Sequence, residues 1–269
     1  MKRIISFLLI CAPALALASP VLDGHFTQGG LIYGKVAPHI RVYWGDQRLN
    51  VSPEGHFILG FGRDAELNHS LYLIDRSGQV SSHDLQIAKR TYQIQRIDGI
   101  SERMMEPTVE DQLRITREAT QVSQARRIHR DLPYFKESFI WPVTGRISGV
   151  YGSQRILNGE PRRPHFGIDI AAPTGTKIKA PAGGVVSLDH DGMFYSGKTL
   201  IIDHGHGLSS SFLHLSKILV QQDDIITQGQ VIAEVGATGR VTGPHLDWRV
   251  NWFEHRLDPA LLAPKMPEQ

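Results

Sequence analysis

Cysteine is almost missing from this chain of 269 residues: Cys11 is the only one. It lies in a segment read below as a removable leader. Without it the chain has no disulfide, no cysteine nucleophile and no thiolate for a metal, so any metal must be held by imidazole and carboxylate. Charge excess is missing too. Lys plus Arg number 29 and Asp plus Glu 27, a net +2, which gives no basis for a nucleic-acid binder. Arg126, Arg127 and Arg130 cluster, and their spacing reads as a solvated helix face. Beyond the first residues no stretch approaches the ~20 apolar residues of a membrane-spanning helix. There is no GxSxG around Ser209-Ser210-Ser211, and Gly236-Ala237-Thr238-Gly239-Arg240 lacks the lysine of a phosphate loop. These absences disfavour a serine hydrolase and a nucleotide-binding enzyme.

Residues 1–18 have the pattern of a secretory signal. Lys2 and Arg3 precede the apolar run Ile4–Leu17, and Ala16-Leu17-Ala18 fits the small-x-small cleavage rule, so the mature chain is expected to start at Ser19.

Residues 19–97 are expected to form a β-sandwich-like accessory domain. Short apolar or alternating runs at 31–33, 39–44, 55–59, 70–74, 82–87 and 91–97 are separated by Gly29-Gly30, Gly45-Asp46, Pro53-Glu54-Gly55 and Ser77-Gly78. Its histidines, His39, His56, His69 and His83, are scattered and read as surface or turn residues. Residues 98–138 read as a helical linker. One long amphipathic helix is expected over 107–131, opened by Pro107 and carrying Val109, Leu113, Ala119, Val122 and Ala125 as a rough apolar stripe. It should pack on a domain or bridge two. Residues 139–264 return to β-rich runs (185–188, 199–202, 231–235) with glycine turns and no intervening helical pattern. A mostly antiparallel sheet follows. The whole chain is therefore expected to be mainly β.

The chemistry-bearing residues fall in three stretches of this last region, HFGID, FLHLS and GPHLDW. His245 and Asp247 are two apart in a strand-like run, so they share a face with α-carbons about 6–7 Å apart. His165 and Asp169 are four apart. Pro164, Gly167 and Pro173 argue against a helix there, and a straight strand would separate the pair by about 13 Å. Joint use demands a bend, for which Gly167 is the obvious place. His214 stands alone between leucines. His204 and His206 read as structural residues of a turn, and His190 and His255 as surface residues. One imidazole, two carboxylates and two further imidazoles suit a metal-dependent hydrolase.

The ordered series Trp141-Pro142-Val143-Thr144-Gly145, His165-Phe166-Gly167-Ile168-Asp169, Ala180-Pro181-Ala182-Gly183-Gly184, His214-Leu215-Ser216 and Gly243-Pro244-His245-Leu246 resembles the lysostaphin/LytM-type zinc metalloendopeptidases. The resemblance covers a little under half of the chain. It implies the fold of that family for the C-terminal region, His165 and Asp169 as metal ligands, and His214 and His245 as the catalytic pair. The position of the family's third ligand, a histidine, is taken here by Asp247. A carboxylate ligates zinc at about 2.0–2.2 Å, so the ligand count is kept. The ligand set with its cation becomes formally neutral, which lowers Lewis acidity and admits manganese beside zinc. The resemblance further implies a peptidoglycan-peptide substrate, bound in a groove between residues 158–163 and 193–195, and a place in the periplasm of a Gram-negative bacterium. A domain of the same fold that binds the wall and regulates another hydrolase is the competing expectation.

Overall fold

The computed structural model describes residues 19–128 and 130–267; the expected leader, 1–18, lies outside them. The chain is mainly β. In the N-terminal part, a three-stranded sheet (Val21–Gly24, Leu31–Lys35, His56–Gly60) faces a four-stranded one (Gln47–Arg48, Arg41–Trp44, Asn68–Ile74, Val80–Gln86). Leu31, Ile32, Phe57 and Leu59 of the first and Val42, Leu71 and Leu73 of the second are fully buried in one shared core. In the Asn68–Ile74 strand of the second sheet Leu71 and Leu73 turn inward in alternation, whereas in the first sheet Leu31 and Ile32, and Phe57 through Leu59, are buried consecutively, so both faces of those strands are covered. The Ile94–Ile97 strand leaves this layer and runs parallel to Gln154–Leu157, joining the early chain to the C-terminal region.

The C-terminal region is built on an eight-stranded sheet. Its order is Ile225–Ile226, Gly184–Met193, Gly197–Gly205, Leu208–Leu215, His245–Trp252, Ile168–Ala171 and Ile147–Gly149, with His255–Leu257 on the His245–Trp252 strand. All pairings within it are antiparallel. The His245–Trp252 strand sorts its residues by parity. Leu246, Trp248, Val250 and Trp252 enter the core, and His245, Asp247, Arg249 and Asn251 take the other face. That division places the candidate site on the sheet surface opposite the core.

The helical segment differs from its expected form. A short helix α1 (Glu102–Met105) precedes α2 (Val109–Arg126), which ends several residues before position 131. Pro107 does not open α2. Thr108 is the N-cap, in a reciprocal capping box with Asp111. The apolar stripe holds only toward the helix end: Ala125 is buried, but Val109 and Leu113 are exposed. The buried residues are Asp111, Glu118 and Ala125, spaced seven apart on one face. Two of the three are charged, so polar contacts rather than apolar burial dock α2. Asp111 takes a two-pronged bond from Arg103 at 2.6 and 2.9 Å. Glu118 pairs with Arg114 at 2.6 Å and accepts the Phe194 backbone N–H at 2.8 Å, while Arg114 donates to the Gly192 carbonyl. The helix thereby packs on the end of the Gly184–Met193 strand. No helix among the described residues is long and apolar enough to cross a membrane.

Candidate metal centre

Asp169 and Asp247 sit directly opposite each other on the neighbouring Ile168–Ala171 and His245–Trp252 strands. Both are buried. Facing like charges at such a position is unfavourable unless cations compensate. His165 joins them from just before the strand. It is held by backbone bonds to Ser153 and Gly152, so the chain bends through Gly167 and the straight-strand separation is avoided. Glycine is required there: a Cβ at 167 would stand 2.5 Å from Asp247 Oδ1 and 2.7 Å from the Trp248 carbonyl oxygen. Gly149 leaves room in the same way, since its Cβ would lie 2.2 Å from Asp169 Oδ2. His165 Nε2 comes within 3.0 Å of Asp169 Oδ1, and one donor atom from each of His165, Asp169 and Asp247 lies within 4.8 Å of the others.

The donor set fits a divalent cation. Both ring nitrogens of His165 and Oδ1 of Asp169 are shielded from solvent, yet none makes a well-formed hydrogen bond: among the described residues Nε2 and Oδ1 meet only each other, and Nδ1 meets no acceptor or donor. Buried polar atoms left in that state cost free energy, and ligation would satisfy them. Imidazole plus two carboxylates suits zinc, with manganese also accommodated.

Two arginines that the sequence reading left out complete the electrostatics. Arg249 grips Asp247 from two sides, with Nη2 2.6 Å from Oδ2 and Nε 3.0 Å from Oδ1. Arg155 donates to Asp169 Oδ2 at 2.7 Å. Burial alone would raise the Asp247 carboxyl, but Arg249 and then His165 outweigh it and hold it far below the usual carboxylate range. For Asp169, burial and the facing Asp247 push upward, while His165 and Arg155 bring it below its ordinary value. The positive charge lost by having Asp247 in place of a histidine is returned by a guanidinium behind it. Arg249 had a sequence signal, because it continues the every-second-residue series His245, Asp247, Arg249. Arg155 had none, since it reaches Asp169 from a separate strand.

His214 and His245 complete the site, with ring centroids 5.0 Å apart. His214 Nδ1 lies 2.8 Å from the Thr238 carbonyl oxygen, and His245 Nδ1 lies 2.8 Å from that of Gly243. A carbonyl only accepts, so both Nδ1 atoms carry the proton and both Nε2 atoms present a lone pair when the rings are neutral. Those Nε2 atoms point at the cluster: His214 Nε2 is 3.9 Å from Asp247 Oδ2, and His245 Nε2 is 3.8 Å from Asp169 Oδ1. Burial lowers the His214 pKa to about 4, against the opposing pull of Asp247. His214 reaches this face through its backbone. Ser211 and Leu213 line the site cavity while Phe212 enters the core, so strict alternation would send His214 into the core. Its φ of 64° turns it outward instead. A left-handed conformation in a non-glycine residue costs about 1–3 kcal/mol and is tolerated where function demands it.

Among the described residues, the remaining histidines stand apart from the cluster. His204 is fully buried between the Gly183 carbonyl and Ser210 Oγ, and His206 stacks on Phe135 and faces Asp131. Both are structural, as expected. His69 and His255 are not surface residues. His69 receives the Trp44 indole N–H and packs on Phe61, and His255 stacks on Trp252. Of the two loops expected to line a groove, Arg162, Arg163, Met193 and Tyr195 do border the cavity beside His165 and His214, whereas residues 158–160 do not. The arginine trio at the end of α2 is not a solvated face. Arg126 enters that cavity and Arg130 pairs with Asp203 and Asp223; Arg127 alone remains largely exposed.

Comparison with known proteins gives a consistent picture. Residues 163–259 match the model of Peptidase family M23. A Pseudomonas aeruginosa crystal structure described as a peptidase M23 superimposes with a TM-score of 0.69 at 30% identity, over 88% of this chain and 94% of that one. Peptidoglycan DD-endopeptidase ShyA of Vibrio cholerae is 40% identical over 106 residues, which is 39% of this chain and 24% of the relative. DD-carboxypeptidase/endopeptidase Mpg of Neisseria meningitidis is 36% identical over 126 residues, 47% of this chain and 29% of the relative. The chain thus spans about a quarter of the length of these curated relatives.

Proposed function

The chain belongs to peptidase family M23, and we propose from that premise that it is an exported metalloendopeptidase acting on the peptide cross-links of peptidoglycan in the periplasm of a Gram-negative bacterium. The observation that carries the proposal is the convergence of His165, Asp169 and Asp247 with buried donor atoms that make no well-formed hydrogen bond, beside two imidazoles aimed at the same point. The substrate class follows the relatives' names, and the expected leader supports export.

His165, Asp169 and Asp247 would hold the metal, zinc or manganese. When bound, the metal supplies Lewis acidity to the scissile carbonyl and acidifies water. The protein's own groups then do the following. His245 accepts the proton of the attacking water at Nε2, and its Nδ1–H, held by Gly243, fixes the ring for that task. His214 works alongside it. Its lone pair at Nε2 makes it a second acceptor, and once protonated it donates to the developing oxyanion or the leaving amine. Arg249 and Arg155 keep both carboxylates ionised and oriented.

The test is digestion of purified peptidoglycan with mass analysis of the fragments. Cleaved cross-links are expected, with loss of at least about a hundredfold in rate on His214→Ala and on His165→Ala. A second reading, a wall-binding regulator without turnover, is favoured by one observation. Arg249 already satisfies Asp247 and could stand in for a cation there. Intact sacculus binding without cleavage, unchanged in His165→Ala, would establish that reading.

A further inference from the structure

Beside the metal cluster lies a cavity of about 680 Å³ roofed by α2. Seven arginines line it, against two carboxylates, Glu118 and Glu254. Neither acid makes an ion pair with a cavity-lining arginine, although Glu254 attracts Arg126 and Arg256 from the rim without outweighing burial and the repulsion of neighbouring arginines. Glu118 is committed to Arg114 and the Phe194 N–H, and Glu254 pairs with Arg127 at an exposed rim. Among the described residues, Arg126 and Arg256 have no ion-pair partner. Arg126 makes a single hydrogen bond, from Nη2 to Ser211 Oγ at 3.0 Å, and its Nε is buried without an acceptor. Arg162 likewise has an unpartnered buried Nε. Arg256 lies over the Phe166 ring at 4.5 Å.

Cations are not gathered without partners at no cost. Burial and then the neighbouring Arg256 and Arg249 lower the Arg126 pKa to about 9, and burial and Arg249 lower that of Arg256 to about 10. Like charges, partial burial and unspent donors all oppose folding. An anion with several acceptor oxygens would reverse all three, and the planar guanidinium fork matches carboxylate geometry.

We propose that this cavity is a carboxylate-binding subsite, with Arg126 of α2 and Arg256 as its receiving pair, and that it holds an anionic segment of a peptide whose scissile bond lies over the metal cluster. The peptide part of this statement rests on the endopeptidase reading; the anion-binding part does not. The subsite gives α2 a role in recognition. Its last residue supplies a ligand-binding cation, and its polar docking face fixes that cation over the sheet.

The experiment uses the full chain with a cross-linked peptide dimer carrying free carboxylates and the same dimer with those carboxylates amidated. Steady-state cleavage and titration calorimetry are measured for the native protein, Arg126→Gln and Arg256→Gln, with thermal melting to establish folding. Glutamine keeps a polar side chain, and neither arginine belongs to the metal cluster. The native protein should show a KM or Kd roughly 10- to 100-fold weaker for the amidated dimer, the equivalent of one or two charge-assisted hydrogen bonds. Each variant should lose about that factor on the free-carboxylate dimer, lose little on the amidated one, and keep kcat within about threefold. Equal handling of both dimers by the native protein would overturn the subsite, as would equal losses by a folded variant on both. Charge-dependent binding without any cleavage would uphold the subsite and overturn the endopeptidase reading. Cleavage indifferent to amidation would do the reverse.

Discussion

Asp247 and Arg249 are coupled, which changes what a substitution at 247 should do. A histidine at 247 restores an imidazole ligand but strands the Arg249 guanidinium, whose carboxylate partner lies 2.6 Å away. Breaking a buried pair from one side costs about 3–5 kcal/mol, whereas replacing both partners can be neutral. Asp247→His alone should therefore keep zinc but unfold at a distinctly lower urea concentration. Asp247→His with Arg249→Leu should recover most of that loss and still bind zinc. Additive losses in this double-mutant cycle would show that the two side chains are not coupled. A second residue-scale effect comes from His204, whose pKa burial lowers to about 4. Unfolded, it takes a proton near pH 6.5; folded, it resists until about pH 4. The unfolded state thus binds more protons across that window, and stability must fall as pH drops through it, by up to about 3 kcal/mol from this residue. In His204→Gln the decline in urea midpoint between pH 7 and pH 4.5 should be visibly shallower than in the native protein.

At the scale of elements, α2 is a helix docked by charge. Replacing Glu118 with Ala removes the partner of Arg114 and leaves the Phe194 N–H unpaired, so α2 should open more easily by about 1–3 kcal/mol. Hydrogen exchange would show faster amides across 109–126 with the sheet unaffected; uniform acceleration in both would contradict a locally docked helix. This element also marks the limit of what the sequence discloses. Its existence was legible from an unbroken run without glycine or proline, but its buried face was not. Apolar spacing pointed to Val109 and Leu113, while the docking groups are carboxylates; Asp111 and Glu118 have arginines nearby in sequence, but the contact that fixes Glu118 on the sheet, the Phe194 N–H, lies 76 residues away. The strands were more legible because parity is local: His245 and Asp247 had to share a face. His214 was visible as an isolated imidazole, but its role in the site came only through a resemblance, since alternation assigns it to the core and a left-handed backbone overrides that. Arg155 was hidden for a different reason, because its contact depends on a distant strand.

At the scale of the molecule, the sheet carries its core on one face and its chemistry on the other, and the helical segment roofs the chemistry. The mainly β, largely antiparallel architecture was readable from short runs and glycine turns. The parallel pairing of Ile94–Ile97 with Gln154–Leu157, which ties the early chain to the site region, was not, because nothing in either strand specifies a remote partner. The proposed metal centre requires His165, Asp169 and Asp247 to hold one divalent cation together. Equilibrium dialysis of the purified chain against trace zinc, followed by elemental analysis, tests it most directly. One zinc per chain is expected, lost in folded His165→Ala and Asp169→Asn variants. A folded native chain that retains no metal, or variants that retain as much as the native chain, would contradict it.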